Sequence, residues 1–140
     1  MKKASALILT AVFLLLSALP AASAQPPSVM PLYENADNAY IETWLDNEET
    51  LYFQVNVIGK INSSGISTVT WLQRKVGNYW IRCNVGTDNN KLYYETTGTV
   101  VRQTYTYNVV NTGEYRVVSE VTIHTASGDE EFTLYQTVII

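Results

Sequence analysis

Apolar and polar residues alternate along most of this chain with a period of two. Leu51, Phe53, Val55 and Val57 fall on one side of a run at 50–59, with Tyr52, Gln54 and Asn56 between them. The same alternation recurs at Val69, Trp71 and Gln73, at Tyr79, Ile81, Cys83 and Val85, and at Val101, Tyr105, Tyr107 and Val109. Tyr115, Val117, Val121 and Ile123 continue it, and Phe132, Leu134 and Val138 close the series. This is the period of a strand that buries one face and wets the other, and the Val, Ile, Thr, Tyr and Trp that dominate suit a pleated, half-buried surface. No window repeats apolar residues at helical spacing. The pattern predicts about seven strands, at 40–45, 50–59, 66–76, 79–86, 99–109, 114–125 and 130–139. Gly77-Asn78 between the third and fourth is a two-residue hairpin signal, and Ser127-Gly128-Asp129 turns the chain between the last two. Lys91 to Thr96, bracketed by Asp88-Asn89-Asn90 and Gly98, fits either a short edge strand or a loop. Two antiparallel sheets packed face to face satisfy such strands, so the predicted fold class is an all-β sandwich.

The first residues follow another logic. Lys2 and Lys3 precede an apolar run from Ala6 to Leu16, and Ala22-Ser23-Ala24 offers small residues at cleavage spacing. That is a helical export signal, residues 1–24, removed before Gln25; its apolar run falls short of the ~20 residues that span a bilayer. Gln25 to Asn38, with Pro26, Pro27 and Pro31, reads as an extended leader, and 39–140 as the folded domain. Taking the 24 signal residues from 140 leaves 116, ordinary for one domain. The signal also takes two of nine basic residues, so the mature chain sets seven against thirteen acidic ones, a net charge of −6. That balance, with basic residues scattered along the sequence, argues against nucleic acid and anionic membrane as partners, and no stable membrane insertion is expected after cleavage. The expected location is extracellular, either free or held at the cell wall. Cys83 is the one cysteine, which excludes an intrachain disulfide; it is expected as a buried small hydrophobe, or as a thiol that links two copies.

One stretch carries a family resemblance. Asn111-Thr112-Gly113-Glu114-Tyr115-Arg116-Val117 resembles the entry to the sixth core strand of an immunoglobulin-like sandwich, where a Tyr returns its hydroxyl to upstream backbone two residues before a Cys. Val117 stands at the Cys position, Trp71 resembles the core Trp of the third strand, and Val57, fourteen residues earlier, stands where the other Cys would be. The resemblance covers about 51–125 and implies an Ig-like sandwich without its inter-sheet disulfide, with Val57, Trp71, Tyr115 and Val117 in structural roles. The chain as a whole also resembles the small signal-peptide-bearing β-sandwich proteins of Gram-positive bacteria, a likeness that implies no activity.

Catalytic equipment is thin in the sequence. His124 is the single histidine, on the outward register of its strand with Thr122 and Glu120 and opposite in face to Cys83, so a Cys-His pair is not expected. No serine sits in a nucleophile elbow. The acidic runs Asp46-Asn47-Glu48-Glu49 and Asp129-Glu130-Glu131 lie at turns and lack the ligand spacing of a calcium loop. Neither a cofactor nor a metal is expected, and no catalytic residue is assigned. Aromatic residues are the richer signal, with three Trp and ten Tyr. Trp80 alternates out of phase with Ile81 and Cys83, and with Tyr52, Tyr94 and Tyr135 it is a candidate for an exposed ring that stacks on a sugar or anchors a protein. The sequence therefore favours a secreted, non-enzymatic binding module for a protein or glycan. The alternatives are a polysaccharide- or peptide-acting hydrolase using carboxylates such as Glu42 or Glu120, and an envelope protein that self-associates through edge strands or Cys83.

Overall fold

β-branched and aromatic residues in alternating phase give eight strands in the computed structural model, which describes Tyr33 to Ile140 apart from Glu48. The expected export signal and most of the expected leader lie outside the described residues. The strands are β1 (Ala36–Leu45), β2 (Thr50–Gly59), β3 (Ser63–Val76), β4 (Tyr79–Arg82), β5 (Leu92–Thr96), β6 (Val100–Asn108), β7 (Glu114–Thr125) and β8 (Glu130–Ile139). The expected seven become eight because Leu92–Thr96 pairs with β3 as an edge strand. β1 also begins at Ala36, so the end of the predicted leader belongs to the sheet. Among the described residues no helix is long and apolar enough to cross a membrane.

Two antiparallel sheets result. One has the order β1-β2-β6; the other runs β4-β3-β7-β8, with β5 sharing the β4 edge of β3. β4 covers Gln73–Val76 and β5 covers Ile66–Thr70, end to end along that edge. Consecutive strands change sheet at β2–β3, β5–β6 and β6–β7. That places β2 and β6 in one layer and β3 and β7 in the other, as the second and fifth and the third and sixth strands are placed in an Ig-like sandwich. Gly77 occupies the first position of the β3–β4 hairpin at φ 60, a conformation glycine adopts without strain.

Leu51, Phe53, Val55 and Val57 of β2 are fully buried against Ile66 and Leu72 of β3, Val101 of β6, and Tyr115, Val117, Val121 and Ile123 of β7. Val57 and Val117 thus fill the core where a disulfide would sit. The tyrosine corner is present: Tyr115 is fully buried and its hydroxyl donates to the Asn111 carbonyl at 2.5 Å. Trp71, however, is not a core residue. The inward register of β3 is Ile66, Thr68, Thr70 and Leu72, and Trp71 stands on the outer face. Both faces of β3 carry apolar residues, and on the core side the Thr70 hydroxyl is satisfied because Thr70 Oγ1 and Ser119 Oγ hydrogen-bond at 2.9 Å across to β7. Leu72 takes the place expected of Trp71. Cys83 is buried as expected, its N–H donating to Leu72 at 2.8 Å, whereas Tyr79 and Ile81 of the edge strand β4 stay 76% and 53% exposed.

The start of β1 is pinned to the other sheet. The Glu130 carboxylate accepts the backbone N–H groups of Glu34 and Asn35 at 2.8 and 2.6 Å, and Tyr33 stacks on Phe132 with centroids 3.8 Å apart. Burial raises the pKa of Cys83, Tyr33, Tyr105, Tyr107 and Tyr115 alike. All five are acids held neutral, so the folded state keeps protons that the unfolded chain releases at lower pH. Their contribution to stability is complete below the ordinary thiol and phenol range and is lost as pH rises through the higher folded values. Urea midpoints are therefore expected to fall steadily above about pH 9; a midpoint unchanged up to about pH 11 contradicts the assignment.

Candidate functional site

The outer face of the five-stranded sheet is where side-chain chemistry concentrates. β3 contributes Ser67, Val69, Trp71, Gln73 and Lys75 at alternate positions, and β7 places Thr122, Glu120, Val118, Arg116 and Glu114 opposite them. β4 adds Arg82 beside Gln73 and Trp80 beside Lys75; β5 adds Tyr93 beside Val69 and Glu95 beside Ser67. β8 brings Thr137, Tyr135, Thr133 and Glu131 alongside β7.

One half of this face is aromatic and cationic. The Arg116 guanidinium lies 4.3 Å from the Trp80 ring centroid and 5.6 Å from that of Tyr135, bridging β4 and β8 across β3 and β7. Its Nε and Nη2 both donate to Gln73 Oε1, at 3.1 and 2.8 Å, which fixes the plane of the guanidinium. Lys75 Nζ sits 5.7 Å from Trp80 and pairs with Glu114 at 2.6 Å. Trp71 is bracketed by the Arg82 guanidinium at 5.0 Å and Lys91 Nζ at 5.1 Å. These distances are within cation–π reach. Tyr93 and Tyr135 stand 66% and 62% exposed at the flanks, and between Trp71 and Tyr135 in the ladder Val118 is buried although it faces outward. The basic residues that are scattered in the sequence are therefore gathered by the fold: four of the seven among the described residues share this face.

The other half is acidic and hydroxylic. Glu95, Glu120, Glu131 and Asp129 replace the cations, and a shallow groove of about 280 Å³ runs between Ser67, Val69, Glu120, Thr122, Glu131 and Thr133. At its end His124 lies between two polar partners. Its Nε2 is 2.8 Å from Ser67 Oγ and its Nδ1 is 3.0 Å from Asp129 Oδ2. Gly65 lies directly opposite His124, and a Cβ there would stand 3.7 Å from the imidazole Cδ2.

Of the aromatic residues chosen from sequence, Trp80 and Tyr135 meet on this face through Arg116. Tyr52 does not join them. It lies on β2 in the opposite sheet, stacked on Trp44 with centroids 5.4 Å apart, its hydroxyl donating to Asp46 at 3.2 Å. Tyr94 is also misplaced: it pairs with Thr68 on the inward register and packs against the core, and its neighbour Tyr93 is the exposed ring. With the 91–96 segment unassigned, the phase of Tyr93-Tyr94 had no anchor. Glu42 and Glu120 do not converge either, since β1 and β7 belong to different sheets and both residues are exposed on outward faces. The two carboxylates therefore do not share a cleft. Sequence reasoning missed Arg116, Gln73, Ser67 and Asp129, which become neighbours only through the β3–β7 and β7–β8 registers. Among the described residues no group of three or more His, Cys, Asp or Glu side chains gathers to hold a metal ion. No family model, curated protein or solved structure matches the chain.

Proposed function

We propose that the mature domain is an extracellular binding module and that its ligand surface is the aromatic and cationic half of the five-stranded sheet. The export-signal pattern of residues 1–24 supports a location outside the cell, free or held at the envelope, and the strand pattern resembles that of small secreted β-sandwich proteins of Gram-positive bacteria. The observation that carries the reading is the set of four cations, Lys75, Arg82, Lys91 and Arg116, each held over Trp71 or Trp80 on one face of a protein whose mature net charge is negative.

The ligand class follows from that chemistry. Planar rings offer faces and edges to pyranose rings, and guanidinium groups pair with carboxylates in a fork. A guanidinium stacked on indole is already partly desolvated and fixed, so little entropy remains to be lost when a carboxylate arrives. An acidic polysaccharide, with rings and carboxylates alternating along an extended chain, matches a flat face of strands about 4.8 Å apart. The acidic half of the same face repels such a chain and confines it to the Trp80 end.

Affinity electrophoresis in gels containing polygalacturonate tests the reading. Retardation is expected, decreasing with salt, and Arg116→Ala is expected to weaken it at least ~10-fold because it removes the charge and the bridge between Trp80 and Tyr135. Trp44→Ala, on the opposite sheet, is expected to leave it unchanged. Migration unaffected by polygalacturonate, or equal retardation by single-stranded DNA, overturns the assignment.

A further inference from the structure

We infer that Ser67, His124 and Asp129 form a proton relay that makes Ser67 a nucleophile toward short acyl esters, an activity beyond the binding reading and independent of it. The geometry assigns the roles. A carboxylate only accepts, so the 3.0 Å contact with Asp129 fixes the proton of a neutral imidazole on Nδ1. That leaves the Nε2 lone pair for the Ser67 hydroxyl, which donates to it at 2.8 Å. This is the tautomer and order of groups that a serine nucleophile requires, and such a relay is recognised by geometry rather than by position in the chain.

The fold holds each part. Ser67 lies on the central strand β3, flanked by β5 and β7. Asp129 is set by the β7–β8 turn, where Thr125 Oγ1 donates to the Gly128 carbonyl at 2.6 Å and accepts the Ser127 N–H at 3.3 Å. The imidazole can lie across β3 toward Ser67 because the residue opposite it is Gly65. Ser67 also lines the groove of about 280 Å³, room for a small acyl group beside Val69. Glu120 and Glu131 in the same groove disfavour an anionic acyl group, so the substrate class is an uncharged short-chain ester.

The chemistry balances without a further reactant. Ser67 Oγ bonds to the ester carbonyl carbon while its proton passes to His124 Nε2; the C–O bond to the alcohol breaks and the leaving alkoxide takes that proton. Water then attacks the acyl-serine by the same route, returning the proton to Ser67 and releasing the acid. The ladders on both sides of Ser67 engage the surrounding backbone N–H groups, so the oxyanion receives little preorganised help and the reaction is slow compared with dedicated serine hydrolases.

The test is labelling of the purified protein by a fluorophosphonate, in which the Ser67 Oγ–P bond forms and fluoride leaves, read by intact mass and peptide mapping. One adduct on Ser67 is expected. Ser67→Ala abolishes it, and His124→Gln slows it about 100-fold. Asp129→Asn slows it as well, and Asp129→Glu restores it, a pattern that a purely structural carboxylate would not produce. Release of p-nitrophenolate from p-nitrophenyl acetate follows the same order. Unlabelled wild type, or labelling that survives in Ser67→Ala with an unchanged urea midpoint, overturns the inference.

Discussion

Tyr115→Ala is expected to cost the sandwich about 3–5 kcal/mol, a large share of the ~5–15 kcal/mol that holds a domain of this size folded. Two separable terms make up the loss. The ring is fully buried, with the Tyr107 ring of β6 6.1 Å away, so its removal leaves a cavity in a close-packed core. The hydroxyl separately ties the start of β7 to Asn111, closing the loop that brings the chain from the three-stranded sheet to the five-stranded one. Tyr115→Phe removes only that hydrogen bond and is expected to cost about 1–1.5 kcal/mol. Urea unfolding of the two variants separates the terms. A phenylalanine variant as damaged as the alanine variant would mean that the corner hydrogen bond, not the packing, dominates.

That corner was legible because the sequence signal for it is local. Gly113, Tyr115 and Val117 lie within five residues, and the inward parity of β7 is unambiguous since Val117, Val121 and Ile123 share it. The β2 core was legible for the same reason. β3 shows the opposite case. Its core face is Ile66, Thr68, Thr70 and Leu72, and its outer face carries Val69 and Trp71, so hydrophobicity alone points the wrong way. The phase is decided by tertiary facts: the hydrogen bond to Ser119 makes Thr70 tolerable inside, and Arg82 and Lys91 cover Trp71 outside.

The site divides along the same line. Trp80 and Tyr135 could be picked out as outward rings from alternation within single strands. Their convergence through Arg116 could not, because it depends on which residue of β7 stands beside Gln73, and a register is not written in any one segment. The Ser67–His124–Asp129 relay was invisible for a stronger reason. It joins a diagonal pair across one ladder to a turn residue from the next, and none of the three stands in a recognisable motif.

Gly65→Ala is expected to destabilise the fold by about 1–3 kcal/mol and to abolish labelling of Ser67 as well. A Cβ at this position would stand 2.8 Å from the Thr96 carbonyl oxygen and 3.7 Å from Thr97 Cα. These are backbone atoms, and Thr96 is held in its ladder to Ile66, so the strain has no flexible side chain to absorb it. Relief requires the end of β5 to lift from β3 or β3 to shift against β7, and either movement changes the Ser67–His124 separation. Gly77→Ala supplies the control: its Cβ meets nothing within 4 Å, and its cost comes from a φ of 60 alone. The control is therefore expected to lose about 1–2 kcal/mol while retaining Ser67 labelling. Hydrogen exchange localises the difference, with faster exchange at β5 in Gly65→Ala and at the β3–β4 hairpin in Gly77→Ala. If Gly65→Ala keeps both its β5 protection and its reactive serine, the close approach of β5 to Gly65 does not support the relay.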